Sequence, residues 1–326
     1  MKNIEEIGDI VNGRRNGINL VKREEVLIFT GPKIASSFLN RYYQNIDSKR
    51  KEPLYGELVD IHQLSFDVSI EKDEDDKLGW KLSEAGRGLE SDNNVDFRTS
   101  TSEAFYQFVK NEELNSDVMI LIRHPYIRFC SAFIQDYVKP IFNTRILPVF
   151  IKSTLNTGDK LDNIDEVYKT VYHILSRFES DNYVTEKEFK NTPKKLQTIK
   201  NHMGLFLSRL LKNTYSNTEI RFHEGHNTIY HTLMVQLLIS GSVPKHRKIK
   251  IVDIETDNLE DELNFYEVGF QKIKEDLPNS HPFLTSLLIN TMNNHERYNI
   301  SDIFDNVQYE INQELFSYKT LKTFKK

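Results

Sequence analysis

Two unbroken apolar runs, VLIF at 26–29 and VMILI at 118–122, place the strongest limit on how this chain can fold. A strand with one wet face alternates apolar and polar residues. A strand covered on both faces does not, and that is the habit of parallel sheets. Both runs lead into a turn and then a helix. VLIFT (26–30) passes through Gly31, Pro32 and Lys33 to a helix over 36–46, with Ser36 or Ser37 as its N-cap. DVMILIR (117–123) passes through His124 to Pro125, a residue tolerated in a first helical turn. IKIVDIE (249–255) reads as a third strand. The helix after it is capped by Asp257 and Glu260 and carries an apolar face of Leu259, Leu263, Tyr266 and Phe270. Strands alternating with helices predict an α/β fold, a P-loop-like, mainly parallel central sheet flanked by helices.

Between these elements the chain reads as mostly helical. Ile164, Val167, Val171, Ile174 and Phe178 share one helical face, and 185–213 is helical with a break near Pro193. Ser100 and Glu103 form a capping box for a helix to about Asn111. The acidic run EKDEDDK (71–77) and the polar stretch 84–99 read as loops. With no repeat and no Pro/Gly-rich linker, the 326 residues read as a single domain, 1–326, with a mainly helical insertion around 140–220.

Charge and cysteine usage narrow the function. A net charge of −5 argues against a nucleic-acid partner. The apolar run Val118–Ile122 is far too short to span a membrane, so no transmembrane segment is expected. MKNIEEIGDIVNG carries acids and no signal-peptide core. One cysteine, Cys130, excludes an internal disulfide and a multi-cysteine metal site. A cytoplasmic location is expected.

Two strand ends carry the chemistry. In the first, Lys33 and the hydroxyls of Ser36 and Ser37 stand at a helix N-terminus, whose unpaired N–H groups attract anions. The stretch lacks the second glycine of G-x-x-x-x-G-K-[ST] and is not a nucleotide P-loop. In the second, RHPYIRFCSAF (123–133), Arg123 closes a strand where open α/β sheets bind ligands, and its planar fork suits a phosphate. Phe129, Cys130, Phe133, Ile134 and Tyr137 form the apolar face of the helix, with Arg128, Ser131 and Gln135 on another. The two anion sites lie 90 residues apart in sequence, and a ligand with two separated phosphate groups would bridge them.

Pro32-Lys33-Ile34-Ala35-Ser36-Ser37 resembles the 5′-phosphosulfate-binding loop of sulfotransferases, written P-K-x-x-[ST]-[ST] in the carbohydrate-modifying branch. RHPYIRFCSAF resembles their 3′-phosphate element, R-x-P-x-x-R-x-x-S-A-[YF], with the same step from Arg123 to Ser131. Further along, His231 and Gln236 are similar to a downstream histidine–glutamine motif. IKIVDIETDNLEDEL (249–263) is similar to the family's strand, acidic turn and helix, and YEINQELFSY (309–318) to a terminal signature, with Asn312 where an acid is more usual. The resemblance implies the sulfotransferase fold and 3′-phosphoadenosine 5′-phosphosulfate (PAPS) as donor, with 3′,5′-adenosine bisphosphate as product and no metal required. The acceptor is a hydroxyl or amine of a glycan or small molecule.

On this reading Lys33 and the loop from Pro32 to Ser37, Ile34 and Ala35 included, hold the phosphosulfate end, and Arg123 and Ser131 the 3′-phosphate. Lys33 also neutralises the leaving phosphate. The acceptor needs a general base. His62, in ELVDIHQLSF, is the first candidate, Glu57 the second and His231 the third. Two other readings stay open: a P-loop nucleotide or small-molecule kinase, and a non-catalytic relative that binds nucleotide or glycan.

Overall fold

The computed structural model describes residues 17–22, 26–31, 33–35, 38, 39, 42, 65–72, 78–84, 117–142, 145–157, 160–179, 184–189, 191–215, 230–239, 247–266 and 281–325. The chain divides into two compact units. The first comprises Met1–Pro125, Phe222–Pro278 and Asn312–Lys326, the second Tyr126–Arg221 and Asn279–Ile311.

The first unit is built on a six-stranded sheet. Its strands are β1 (Gly17–Lys22), β2 (Val26–Thr30), β3 (Ser65–Lys72), β4 (Leu78–Glu84), β5 (Asp117–Ile122) and β6 (Ile249–Asp253), in the spatial order β4-β3-β1-β2-β5-β6. β2, β5 and β6 run parallel, with Phe29 opposite Ile120 and Val118 opposite Ile249. Val26–Phe29 and Val118–Ile122 are at most 2% exposed, as unbroken apolar runs require. Helices cover this three-stranded parallel part. α5 (Tyr230–Ile239), α6 (Leu259–Asn264) and the end of α8 (Ser301–Thr323) contribute Tyr230, Met234, Leu259, Leu263, Tyr318 and Leu321 to its core.

The sheet is not mainly parallel. β1 pairs antiparallel with both β2 and β3, and β3 with β4. Glu71 and Lys72, read as the start of a loop, close β3, and Glu84 closes β4. The register sets Val68 opposite Leu82 and Ile70 opposite Trp80. The cause is in the sequence: SFDVSIEK and LGWKLSE both alternate, the pattern of a strand with two unlike faces.

The second unit is helical among its described residues. α1 (Pro125–Phe133) starts on the last residue of the first unit and runs on through a π-turn (Ile134–Val138) and a 3-10 turn (Lys139–Ile141). Then come α2 (Leu147–Leu155), α3 (Ile164–Glu179), α4 (Pro193–Tyr215), α7 (Pro282–Asn293) and the first half of α8. Pro193 opens α4, which is the expected break. Val167, Val171 and Ile174 of α3 are buried, as their spacing predicts. Gly204 on α4 is required by close approach: a Cβ there would stand 2.2 Å from the Tyr298 hydroxyl.

The helix expected after β6 is present, but its caps are not those expected. Asn258 is the N-cap and makes no side-chain cap hydrogen bond. Asp257 turns back instead, and its Oδ2 accepts from the Asp253 N–H at 2.8 Å. Phe270 and the capping box at Ser100 lie outside the described residues. Of the helix expected over 36–46, Phe38, Leu39 and Tyr42 are described, and all three are helical and buried.

Candidate functional site

The chain leaves β2 through a tight turn. The Ile34 N–H donates to the Gly31 carbonyl at 3.0 Å, and Lys33 has φ 63°. Lysine stands here in the left-handed region, where glycine or asparagine is more usual. Ala35, two residues on, has φ 59°. Left-handed backbone costs a residue with a Cβ about 1–2 kcal/mol. The turn is held by its neighbours. Ile34 is wholly buried, Thr30 Oγ1 donates to the Ile34 carbonyl, and the Leu39 N–H donates to the Ala35 carbonyl at 3.0 Å. Gly31 lies against α5, where a Cβ would stand 2.9 Å from Tyr230 Cγ. The Tyr230 hydroxyl donates to the Phe29 carbonyl at 2.9 Å and ties α5 to the end of β2.

β5 lies beside β2 and runs the same way, so Arg123, just past its carboxyl end, reaches this turn. Arg123 Nη1 donates to the Lys33 carbonyl at 3.0 Å, and Nε donates to Glu255 Oε1 at 2.6 Å. The two anion-motif stretches read from the sequence therefore meet through Arg123 and Lys33. The third guanidinium nitrogen, Nη2, makes no hydrogen bond among the described residues. The Arg123 side chain is 14% exposed and that of Glu255 32%.

β6 supplies the next layer. Asp253, its last residue, is fully buried. Its Oδ2 accepts from the Tyr318 hydroxyl at 2.7 Å and from Lys322 Nζ at 2.8 Å, and its Oδ1 accepts from the Glu255 N–H at 3.2 Å. Burial pushes the Asp253 carboxyl up, but the donors Lys322, Tyr318 and Glu255 N–H outweigh it and hold the group below its ordinary value. Burial, together with the bond to Asp253, pushes the Tyr318 phenol up to about 12. The bond to Asp253 raises Lys322. The His124 ring meets Tyr318 edge-on at 5.3 Å, and burial lowers its pKa against the pull of Asp253 and Glu255.

A second polar network stands on α5 and α8. Glu314 Oε2 faces the His231 N–H at 3.0 Å and His231 Nδ1 at 2.9 Å, and Oε1 accepts from the Thr232 hydroxyl at 2.8 Å. The Arg123 N–H approaches His231 Nε2 at 3.5 Å. A carboxylate only accepts, so Nδ1 carries the hydrogen of the bond to Glu314. His231 is wholly enclosed, which suits a group that positions its neighbours.

Ser131 and Arg128 sit on α1 in the second unit, 1% and 3% exposed, and Gln135, placed on the same face, is half-buried. Pro32, Ser36, Ser37, Glu57 and His62 lie outside the described residues. Glu255, Asp253, Glu314, Tyr318 and Lys322 were not singled out as site residues from sequence. The rule that ligands gather past the carboxyl ends of parallel strands, applied to β2 and β5, applies equally to β6 and points to the turn carrying Glu255. Among the described residues no helix is long and apolar enough to cross a membrane, and no group of three or more His, Cys, Asp and Glu is placed to hold a metal. No family model, curated protein or solved structure matches the chain.

Proposed function

We propose that this protein transfers a sulfuryl group from PAPS to a hydroxyl or amine of a glycan or small-molecule acceptor. The observation that carries this reading is the 3.0 Å contact between Arg123 Nη1 and the Lys33 carbonyl. It joins the two anion-motif stretches at the ends of neighbouring parallel strands. The residues fit a phosphate-bearing ligand. Arg123 is oriented by two acceptors, and strain of the kind that gathers at ligand-holding loops is present at Lys33 and Ala35.

Lys33 and the turn around it would hold the phosphosulfate end, with Ser36 and Ser37 adding hydroxyls. Arg123 would take the 3′-phosphate, and Ser131 joins it on the resemblance alone. When bound, PAPS supplies an activated sulfur whose bond to the 5′-phosphate oxygen breaks as the acceptor atom attaches. Lys33 offsets the charge that collects on the departing phosphate. His62 or Glu57 accepts the proton lost by the acceptor. His231, the third candidate, is enclosed and bonded to Glu314.

Thermal shift with nucleotides tests the donor. A ligand of the native state stabilises it by about 2.7 kcal/mol at a hundredfold excess over Kd. 3′,5′-Adenosine bisphosphate should raise Tm well above the shift given by ATP. Equal shifts, or none, would remove PAPS as the donor. With an accepted substrate, Lys33→Ala should lower kcat by roughly 10²–10³ and weaken bisphosphate binding less.

A further inference from the structure

The anion site contains an acid that an anion site does not call for. Glu255 bonds Arg123 Nε at 2.6 Å, and its negative charge subtracts from the attraction a phosphate would feel. The pair is 14% and 32% exposed, and ion pairs near the surface contribute little to stability. Neither attraction nor stability explains the carboxylate. Geometry does. A guanidinium is a flat fork that binds a phosphate well only when its plane is set. Here that plane is set from two sides, by Glu255 at Nε and by the Lys33 carbonyl at Nη1. Nη2 is the nitrogen with no protein hydrogen bond among the described residues.

Glu255 is itself held. Its N–H donates to Asp253 Oδ1 at 3.2 Å, and the N–H groups of Thr256 and Asp257 both donate to the Asp253 carbonyl, at 3.0 and 2.8 Å. Asp253 is anchored in turn by Tyr318 and Lys322 of α8. A continuous chain of hydrogen bonds therefore runs from α8 through the β6 turn to Arg123 and on to the left-handed Lys33.

We propose that Glu255 is a positioning residue of the anion site, fixing the Arg123 guanidinium so that Nη2 and the second N–H of Nη1 are kept for a phosphate group of the nucleotide. This rests on the functional reading above, and the experiment separates the two. Calorimetric titration of the full chain with 3′,5′-adenosine bisphosphate is compared for wild type, Glu255→Ala, Glu255→Gln, Arg123→Ala and the Glu255/Arg123 double alanine variant. Glu255→Ala should weaken binding on the order of tenfold, the worth of one charge-assisted contact. Glu255→Gln keeps an oxygen that can accept from Nε and should recover affinity to within about threefold of wild type. Arg123→Ala should lose at least as much as Glu255→Ala, and the double variant should lose no more than Arg123→Ala alone. The urea midpoint of Glu255→Ala should stay close to wild type, which a merely structural residue would not allow. Additive losses, or tighter binding in Glu255→Ala, overturn the positioning role and make Glu255 an independent or competing group. Absence of binding by the wild type overturns the functional reading, and the role of Glu255 with it.

Discussion

Two buried carboxylates stand near the ends of the parallel strands, and they are satisfied in different ways. Glu314 accepts from the His231 N–H, the His231 ring and the Thr232 hydroxyl. Asp253 is met by a phenol, a backbone N–H and the ammonium of Lys322, whose side chain is 37% exposed. Of these partners His231 is wholly buried, while Lys322 reaches the surface. A wholly buried donor such as the His231 N–H is costly to leave behind, because it has no water to turn to. A network ending in a surface cation is cheaper to break and more sensitive to pH.

That contrast orders the expected effects. Glu314→Ala removes the acceptor of the buried His231 N–H and Nδ1–H, and should cost about 3 kcal/mol or more in a urea unfolding curve. Gly31→Ala drives a methyl into the Tyr230 ring that docks the same helix, and should cost about 1–3 kcal/mol. Asp253→Asn keeps the shape but weakens the hold on Lys322, at about 1–2 kcal/mol. Lys322→Met should cost at most about 1 kcal/mol, as for other partly exposed pairs. A Lys322 effect larger than that of Glu314 would reverse the comparison.

The pH dependence has a definite sign. The Asp253 pKa is lowered in the folded state, so its contribution is present above its ordinary value of 3.8 and is lost as pH falls through the lower folded value. His124, also lowered, adds a loss of stability as pH falls below 6.5. Tyr318 and Lys322 are raised, so their contributions are present below their ordinary values of 10.0 and 10.5. The contribution of Tyr318 is lost as pH rises towards about 12, and that of Lys322 as pH passes its own raised value. Asp253→Asn should therefore flatten the stability profile at its acid end and reduce the alkaline loss. An unchanged acid limb would remove Asp253 as its source.

The parallel strands were legible because a strand buried on both faces writes itself as an unbroken apolar run, as β2 and β5 do. β3 and β4 were missed although SFDVSIEK and LGWKLSE alternate cleanly, because the acidic run between them was read as loop from its charge alone. Local composition outweighed period two at Glu71 and Lys72. Lys33 and Arg123 were legible for another reason, since each lies in a motif at the end of a recognisable strand. Glu255 and Glu314 were not. Their partners stand 132 and 83 residues away, and only strand order and helix packing bring them together. The π-turn after α1 had no sequence signal to find it by.

A crystal structure with 3′,5′-adenosine bisphosphate bound tests the central claim most directly. The expected result is a phosphate oxygen at about 2.7–3.2 Å from Arg123 Nη2, with the Glu255 and Lys33 carbonyl contacts kept. A bisphosphate bound away from Arg123 and the Lys33 turn, or no bisphosphate bound at saturating concentration, would contradict it.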